Sequence, residues 1–432
     1  MTHSAPSSQV PGAQPPAPDQ PTPPPLRALA QAAGGSFLVL GFLGRLPAAM
    51  NQLGMLLIVS ASGRGLALAG STVAAVGLGT AVGAPVIGRL VDRIGAVRVL
   101  ACALVVQSLA LAGVLTCLHA DLPGALILAF AALLGLANPQ AGSIARACWS
   151  AIARADAVPA RALRTIRLGL GFETAADETS FVVGPVTAGV LVTLLGAEGA
   201  ALSLLVLTVL GEGVFALWLV RRPALSRPHH DGGAGSTQEQ ARTPWVVLAP
   251  VLATIGAVGV VFGATQTALT AVHTAHGTPG LTGPIYGSMG ITSALAGMVA
   301  PSLRGSVLAK TALGGVLVLV CSAVLTTVPG TPLTLAMILI MGAGVGTVLA
   351  TSYTRVEAVA VSGRVTSLMT LAATCNVLGV SLGSVATGAL GSNLHHANLP
   401  AVAAGAVILA LAMGQAWATC ARRDSARADT HS

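Results

Sequence analysis

Four ionisable residues stand in stretches that otherwise carry no charge. Arg45 sits in Gly-Phe-Leu-Gly-Arg-Leu-Pro, residues 41–47, and Glu173, Asp177 and Glu178 sit in a second apolar run, residues 168–195. On a helix Glu173 and Asp177 are four apart and share a face, while Glu178 points ~100° away from Asp177. Charges inside an apolar run cost several kcal/mol unless paired and are functional suspects by default. At 1.5 Å per residue, Arg45 lies ~14 Å into its run and Asp177 ~14 Å into its own. The expected chemistry is an ion pair between Arg45 and Asp177 or Glu178. A remaining carboxyl, desolvated, would then be free to hold and release a proton. The plainer reading is a static charge network that fixes helix packing. Glu212, in a later run at similar depth, is a fourth acid and a weaker candidate.

The elements that hold these residues follow from composition. The chain has 432 residues, 54% hydrophobic and 8% charged, against about 25% charged in soluble domains. Its apolar residues fall in blocks of roughly 20, long enough to cross ~30 Å of hydrocarbon as helices. Twelve spans are expected, at about residues 36–60, 66–90, 97–118, 123–145, 168–195, 200–220, 245–272, 281–303, 311–328, 333–353, 365–390 and 397–420. Residues 1–30 read as a disordered Pro-rich tail, and 31–222 as a six-helix bundle. Residues 223–244 read as a polar linker, 245–421 as a second bundle and 422–432 as a tail. The fold class is an all-α membrane protein of two six-helix bundles.

Charge placement orients it. With both termini in the cytoplasm, 20 of the 22 Lys and Arg residues fall in the tails and in the loops of that side. The exceptions are Arg45, inside the first span, and Arg64. The positive-inside rule therefore places both ends in the cytoplasm, with an even number of spans. The net charge of +8 belongs to this asymmetry, so no nucleic-acid partner is expected. The N-terminal stretch has no apolar h-region and is no signal peptide. The six cysteines have no C-x-x-C spacing and read as small packing residues, and His229–His230 reads as a solvated pair in the linker. No metal or cofactor is expected. No nucleotide loop, zinc-binding helix or nucleophile elbow occurs, so the chain is not expected to be an enzyme or an ATP-driven pump.

The loop between spans 2 and 3 is the most specific motif. It reads Gly88, three residues, Asp92, Arg93, one residue, Gly95, two residues, Arg98. This resembles the signature loop of major facilitator superfamily transporters. The resemblance implies that Gly88 allows close packing, Gly95 the tight turn, and Asp92 a contact with the N-terminus of helix 11. Such a contact is a latch between the halves. The chain departs from the family pattern at Ala96 and Val97, where basic residues are common. Between spans 8 and 9, Arg304, Gly305, Lys310 and Gly314–Gly315 form a degenerate echo without an Asp.

Gly184-Pro185-Val-Thr-Ala188-Gly189 in span 5 resembles the Gly-Pro-x-x-Gly-Gly element of the family's proton-coupled exporters. Pro185 lacks an N–H, so the Phe181 carbonyl loses its helix bond and the helix bends there. The functional reading is a hinge and seal, and the plainer one a tolerated kink. Together with 137–149, which holds Arg146 and Trp149, this region resembles facilitator-type transporters common in actinobacteria. Arg146, Gln266, Tyr286 and Asn376 are candidates to line a substrate cavity, although interhelical hydrogen bonds or interfacial anchoring explain each of them too. Gly379 and Gly383 form a small-x-x-x-small pair expected to pack on a neighbouring helix.

The expected function is proton-coupled efflux of a small, partly apolar molecule across the inner membrane by alternating access, performed by a monomer embedded in the bilayer. The alternatives are an importer or uniporter of a nutrient on the same fold, and a non-transporting membrane sensor or scaffold.

Overall fold

The computed structural model describes residues 25–139, 141–226, 245–300, 303–328, 330–359, 365–391 and 393–429. Apart from one 3-10 turn, every regular element among them is an α-helix. The first half holds α1 (Pro25–Ala33), α2 (Gly35–Leu43), α3 (Leu46–Ala61), α4 (Leu66–Ile94), α5 (Ala96–His119), α6 (Gly124–Leu136), α7 (Ala141–Ala155), α8 (Pro159–Val220) and α9 (Pro223–Ser226). The second holds α10 (Trp245–Ala275), α11 (Thr282–Val299), α12 (Val307–Leu325), α13 (Thr331–Val359), α14 (Val365–Leu390), α15 (Leu394–Ala397) and α16 (Leu399–Asp429). Helices satisfy their backbone polar groups internally, which a chain this apolar requires in lipid. Ten helical stretches among the described residues are long and apolar enough to cross a membrane.

The helices differ from the expected spans where proline and glycine interrupt them. The first span is broken between Leu43 and Leu46. Pro47 lies in the first turn of α3 and has no N–H to offer the Leu43 carbonyl, so the preceding helix stops there. The fourth span is likewise split into α6 and α7 around Asn138–Pro139. Spans 5 and 6 instead run together as one element, α8, of 62 residues. A straight helix of that length would reach ~93 Å, three times the ~30 Å of a hydrocarbon core. It is in fact a hairpin. Gly196 takes φ 68° and ψ −170°, a left-handed conformation that glycine adopts without a Cβ clash. Ala188 and Leu204, on either side of it, both approach Gly54 of α3, each 3.8 Å from where a β-carbon would sit.

The expected ends also shift. Residues 25–30 of the anticipated tail belong to α1, and α16 continues to Asp429. Pro223–Ser226 forms a single helical turn, and the rest of the linker, with His229 and His230, lies outside the described residues. Cys102, Cys117, Cys148, Cys321 and Cys375 are all free thiols, and the Cys420 side chain is outside the described set. No cluster of metal-ligating side chains occurs among the described residues.

Each half has its own apolar core. Leu53, Leu56, Leu111 and Ile127 are central to the first, and Val258, Val318, Met341 and Ile408 to the second. Close approach of helices rests on glycine. β-Carbons at Gly379 and Gly383 of α14 would lie 2.0 Å from the Gly256 carbonyl oxygen and 2.3 Å from that of Val260, both on α10. The small-x-x-x-small pair thus packs as its spacing predicts, because lipid offers no hydrophobic drive and helices associate by backbone proximity.

Candidate functional site

The break between α2 and α3 places Arg45. Its residue caps α3, and its side chain turns from that break toward α8. Nε donates to the Gly41 carbonyl (3.0 Å), Nη1 to the Glu173 carbonyl (3.1 Å) and to Asp177 Oδ1 (3.0 Å), and Nη2 to Glu173 Oε2. Glu173 and Asp177 stand one turn apart on α8, so one guanidinium spans both. The α7 helix supplies the other side. Arg146 Nη2 donates to Asp177 Oδ2, and Trp149 Nε1 donates to Glu173 Oε1 at 2.8 Å. Gly142, one turn before Arg146, makes room, since a β-carbon there would lie 3.0 Å from Asp177 Oδ1.

Two arginines and two carboxylates therefore form one closed, net-neutral quartet. The sequence-level pairing of Arg45 with Asp177 is present, and Glu173 shares the same arginine. The expectation of a carboxyl left over after pairing is not met by Glu173 or Asp177, because each has a cation. The side chain of Glu178 lies outside the described set. Glu173 is 1% exposed, whereas the Asp177 and Arg146 side chains are 29% and 37% exposed, so the quartet opens on one side only. Aromatic rings close the back. Phe37 meets Trp149 edge-on at 5.1 Å and stacks on Trp218 at 4.9 Å, and Arg222 lies 4.7 Å above the Trp218 ring.

Farther along the same arm of α8, the Gly184–Gly189 element meets the other half of the molecule. A β-carbon on Gly283 of α11 would lie 2.2 Å from the Pro185 carbonyl oxygen and 3.1 Å from the Gly189 Cα. Gly287 sits against Val182 and Val186 in the same way. The Pro185 carbonyl thus faces the backbone of Gly283 rather than a side chain. A second contact joins α4 to α14. β-Carbons on Gly70 and Gly77 would lie 2.4 Å from the Ser384 carbonyl oxygen and 2.0 Å from Ser381 Oγ. Both contacts lie at the end opposite the arginine-rich loops.

At the arginine-rich end the described glycines make no such contact between the halves. Gly88 has nothing within 4 Å of a β-carbon position. Arg89, Arg93 and Arg98 are exposed, and Gly95 makes the turn between α4 and α5 with φ 89°. The Asp92 side chain and residues 360–364 before α14 are outside the described set, so the expected latch partner of Asp92 is not described.

The remaining candidates separate. Gln266 is 2% exposed and donates to Ser384 Oγ at 3.2 Å, an interhelical bond between α10 and α14 and not an open cavity wall. Tyr286 is half-buried and packs against the cores of both halves. Asn376 is half-buried on α14. Arg146 belongs to the quartet. Sequence reading passed over Gln107, which donates to Glu212 Oε2 at 2.7 Å between α5 and α8. Its signal was a lone amide inside the third apolar run.

The sequence profile described as Major Facilitator Superfamily matches residues 28–384. The chain belongs to the major facilitator superfamily. A search of curated proteins finds no match. Among solved structures, this facilitator chain is similar to the crystal structure of the nucleoside transporter NupG, with a TM-score of 0.65 at 14% identity, covering 89% of this chain and 98% of that one. It is similar to a bacterial homologue of the iron transporter ferroportin in the inward-facing state, with a TM-score of 0.64 at 13% identity over 88% and 98%. A bacterial homologue of the human lysosomal transporter Spinster, inward-facing and unoccupied, has a TM-score of 0.60 at 13% identity over 91% and 96%. At these identities the likeness is one of fold. The chain is therefore a multi-pass membrane transporter and not an enzyme.

Proposed function

We propose that this facilitator exports a small, partly apolar molecule across the inner membrane in exchange for protons, by alternating access between its two halves. The ten apolar stretches, with α8 folded back at Gly196 and α11 added, are read as twelve crossings with both termini in the cytoplasm. In that orientation the packed end is extracytoplasmic and the arginine-rich end is cytoplasmic, the side from which solute would load.

One observation carries the reading. A single arm of α8 holds both the buried quartet at Glu173 and Asp177 and, about two turns on, the Pro185–Gly189 seal against α11. A charge cluster at depth is costly to keep and is placed where protonation of one member changes its pairing. Protonating Asp177 would remove the shared anion between Arg45 and Arg146 and leave two cations facing each other. That change on α8 is transmitted along a rigid helix to the seal.

The test uses the full chain in proteoliposomes with an internal pH dye and an imposed proton gradient. The panel includes amphiphiles, metabolites, nucleosides and short peptides, the last two because nucleoside and peptide transporters share this fold. Solute-driven proton movement that disappears in Asp177→Asn supports proton-coupled transport. Solute movement without proton movement makes the protein a uniporter.

A further inference from the structure

We infer that Glu212 and Gln107 form a proton-binding site, a carboxylic acid kept neutral by burial and hydrogen-bonded to an amide, in the first half apart from the quartet. The inference deepens the proton-coupled reading of this half and takes its proton-carrying role from that reading. It begins from an imbalance. Glu212 is 1% exposed and Gln107 is 0% exposed. Among the described residues, Glu212 is the buried carboxyl that no cation approaches within 4 Å.

The groups around it are accounted for. From α5 comes Gln107, with Leu104 against the neighbouring Gly213. From the α2–α3 break come the Leu43 carbonyl and Pro47, which lie against Gly211. On α8 itself Thr208, one turn back, gives its hydroxyl to the Leu204 carbonyl and offers nothing to Glu212. The cations of these elements are engaged or remote. Arg45 holds Glu173 and Asp177, His119 lies 3.5 Å from Glu198, Arg222 stacks over Trp218, and Arg98 is exposed nine residues before Gln107.

The hydrogen bonds then point to a protonated acid. Gln107 Nε2 donates to Glu212 Oε2 at 2.7 Å, while Glu212 Oε1 and Gln107 Oε1 are both buried without a partner. An ionised carboxylate only accepts, and an amide oxygen only accepts, so two orphaned acceptors share a site that has no donor for either. One proton on Glu212 removes a buried charge and adds a donor to a site that holds two orphaned acceptors. Gly211 sets the geometry, since a β-carbon there would lie 2.7 Å from the Leu43 carbonyl. The helix break that positions Arg45 is therefore packed on the residue next to Glu212. Movement of α2 and α3 changes the surroundings of both sites.

Infrared spectroscopy of the full chain in lipid, in H2O and D2O, tests this without any solute. The expected result at neutral pH is a carboxylic-acid carbonyl band that Glu212→Gln removes and Glu173→Gln retains. The band moves down on transfer to D2O, moves up in Gln107→Leu, which loses the amide donor, and disappears on alkaline titration. Because Gln107→Leu reads the same band by its shift, the test does not depend on Glu212→Gln folding. A spectrum with no Glu212-dependent acid band overturns the inference, and so does a band indifferent to D2O or to alkali. Proton occupancy is read here apart from transport. Failure of the proteoliposome assay with this band present would refute coupled export and leave the proton site standing.

Discussion

At the scale of residues, the central feature is that Arg45, Glu173 and Asp177 each have more than one partner. Arg45 alone makes four hydrogen bonds, to Gly41, Glu173 twice and Asp177. Removing one partner of a buried ion pair strands the other, at a cost of about 3–5 kcal/mol, whereas replacing both with apolar groups is often neutral. The account therefore predicts that Arg45→Met and Glu173→Met each lower thermal stability strongly. The double variant should recover most of the loss, which a thermal-unfolding double-mutant cycle in detergent would read. Additive losses would mean that Arg45 and Glu173 are energetically independent. Asp177 is the more accessible acid, and Arg146 still faces it when Arg45 is gone. Asp177→Asn is expected to cost less stability than Glu173→Gln but more proton-driven transport, and comparing melting temperature with dye response in the two variants checks this.

At the scale of elements, the same arm of α8 contains Pro185 and a contact surface for α11. With Gly283 only 2.2 Å from the Pro185 carbonyl when given a β-carbon, a larger residue there cannot fit the closed arrangement. Gly283→Val is predicted to hold the halves apart at that end. Maleimide labelling of a cysteine introduced at the half-buried Val186 should then rise severalfold while the protein remains folded by circular dichroism. Unchanged labelling would show that the α8–α11 contact is not the seal.

The sequence made the helices legible because apolar blocks of span length are rare in other settings, and the α4–α5 loop legible because Gly95 must take a positive φ. The Arg45–Asp177 pairing was legible from depth alone. Three features were not. The break at Arg45 was hidden because Leu46–Pro47 reads as apolar continuation. The recruitment of Arg146 and Trp149 depends on the α6–α7 break, which swings α7 against α8. The Glu212–Gln107 pair joins residues 105 positions apart, and no local pattern announces such a contact.

At the scale of the whole molecule, the halves touch at the end opposite the arginine-rich loops. The α4–α14 contact offers a lock. A β-carbon on Gly77 would lie 3.4 Å from the Ser381 Cβ, close to the ~3.5–4.5 Å that a disulfide spans. Gly77→Cys with Ser381→Cys, in a chain whose own cysteines are replaced by serine, is predicted to cross-link under mild oxidation and stop transport. Reduction should restore it. Cross-linking without loss of transport would mean that this end need not open.

The most direct test of alternating access is a pair of distance measurements by double electron–electron resonance in nanodiscs. One pair of labels sits at the exposed Arg89 and Thr354, across the arginine-rich end. The other sits at the exposed Ala67 and Ala389, across the packed end. On adding a transported solute from the panel and raising the pH, which removes the proton that exchange carries inward, the account predicts that the first distance population shortens while the second lengthens. The two changes should share the same pH midpoint, and Asp177→Asn should abolish both. Distances that move together, or a packed end that never lengthens, would contradict the alternating-access account.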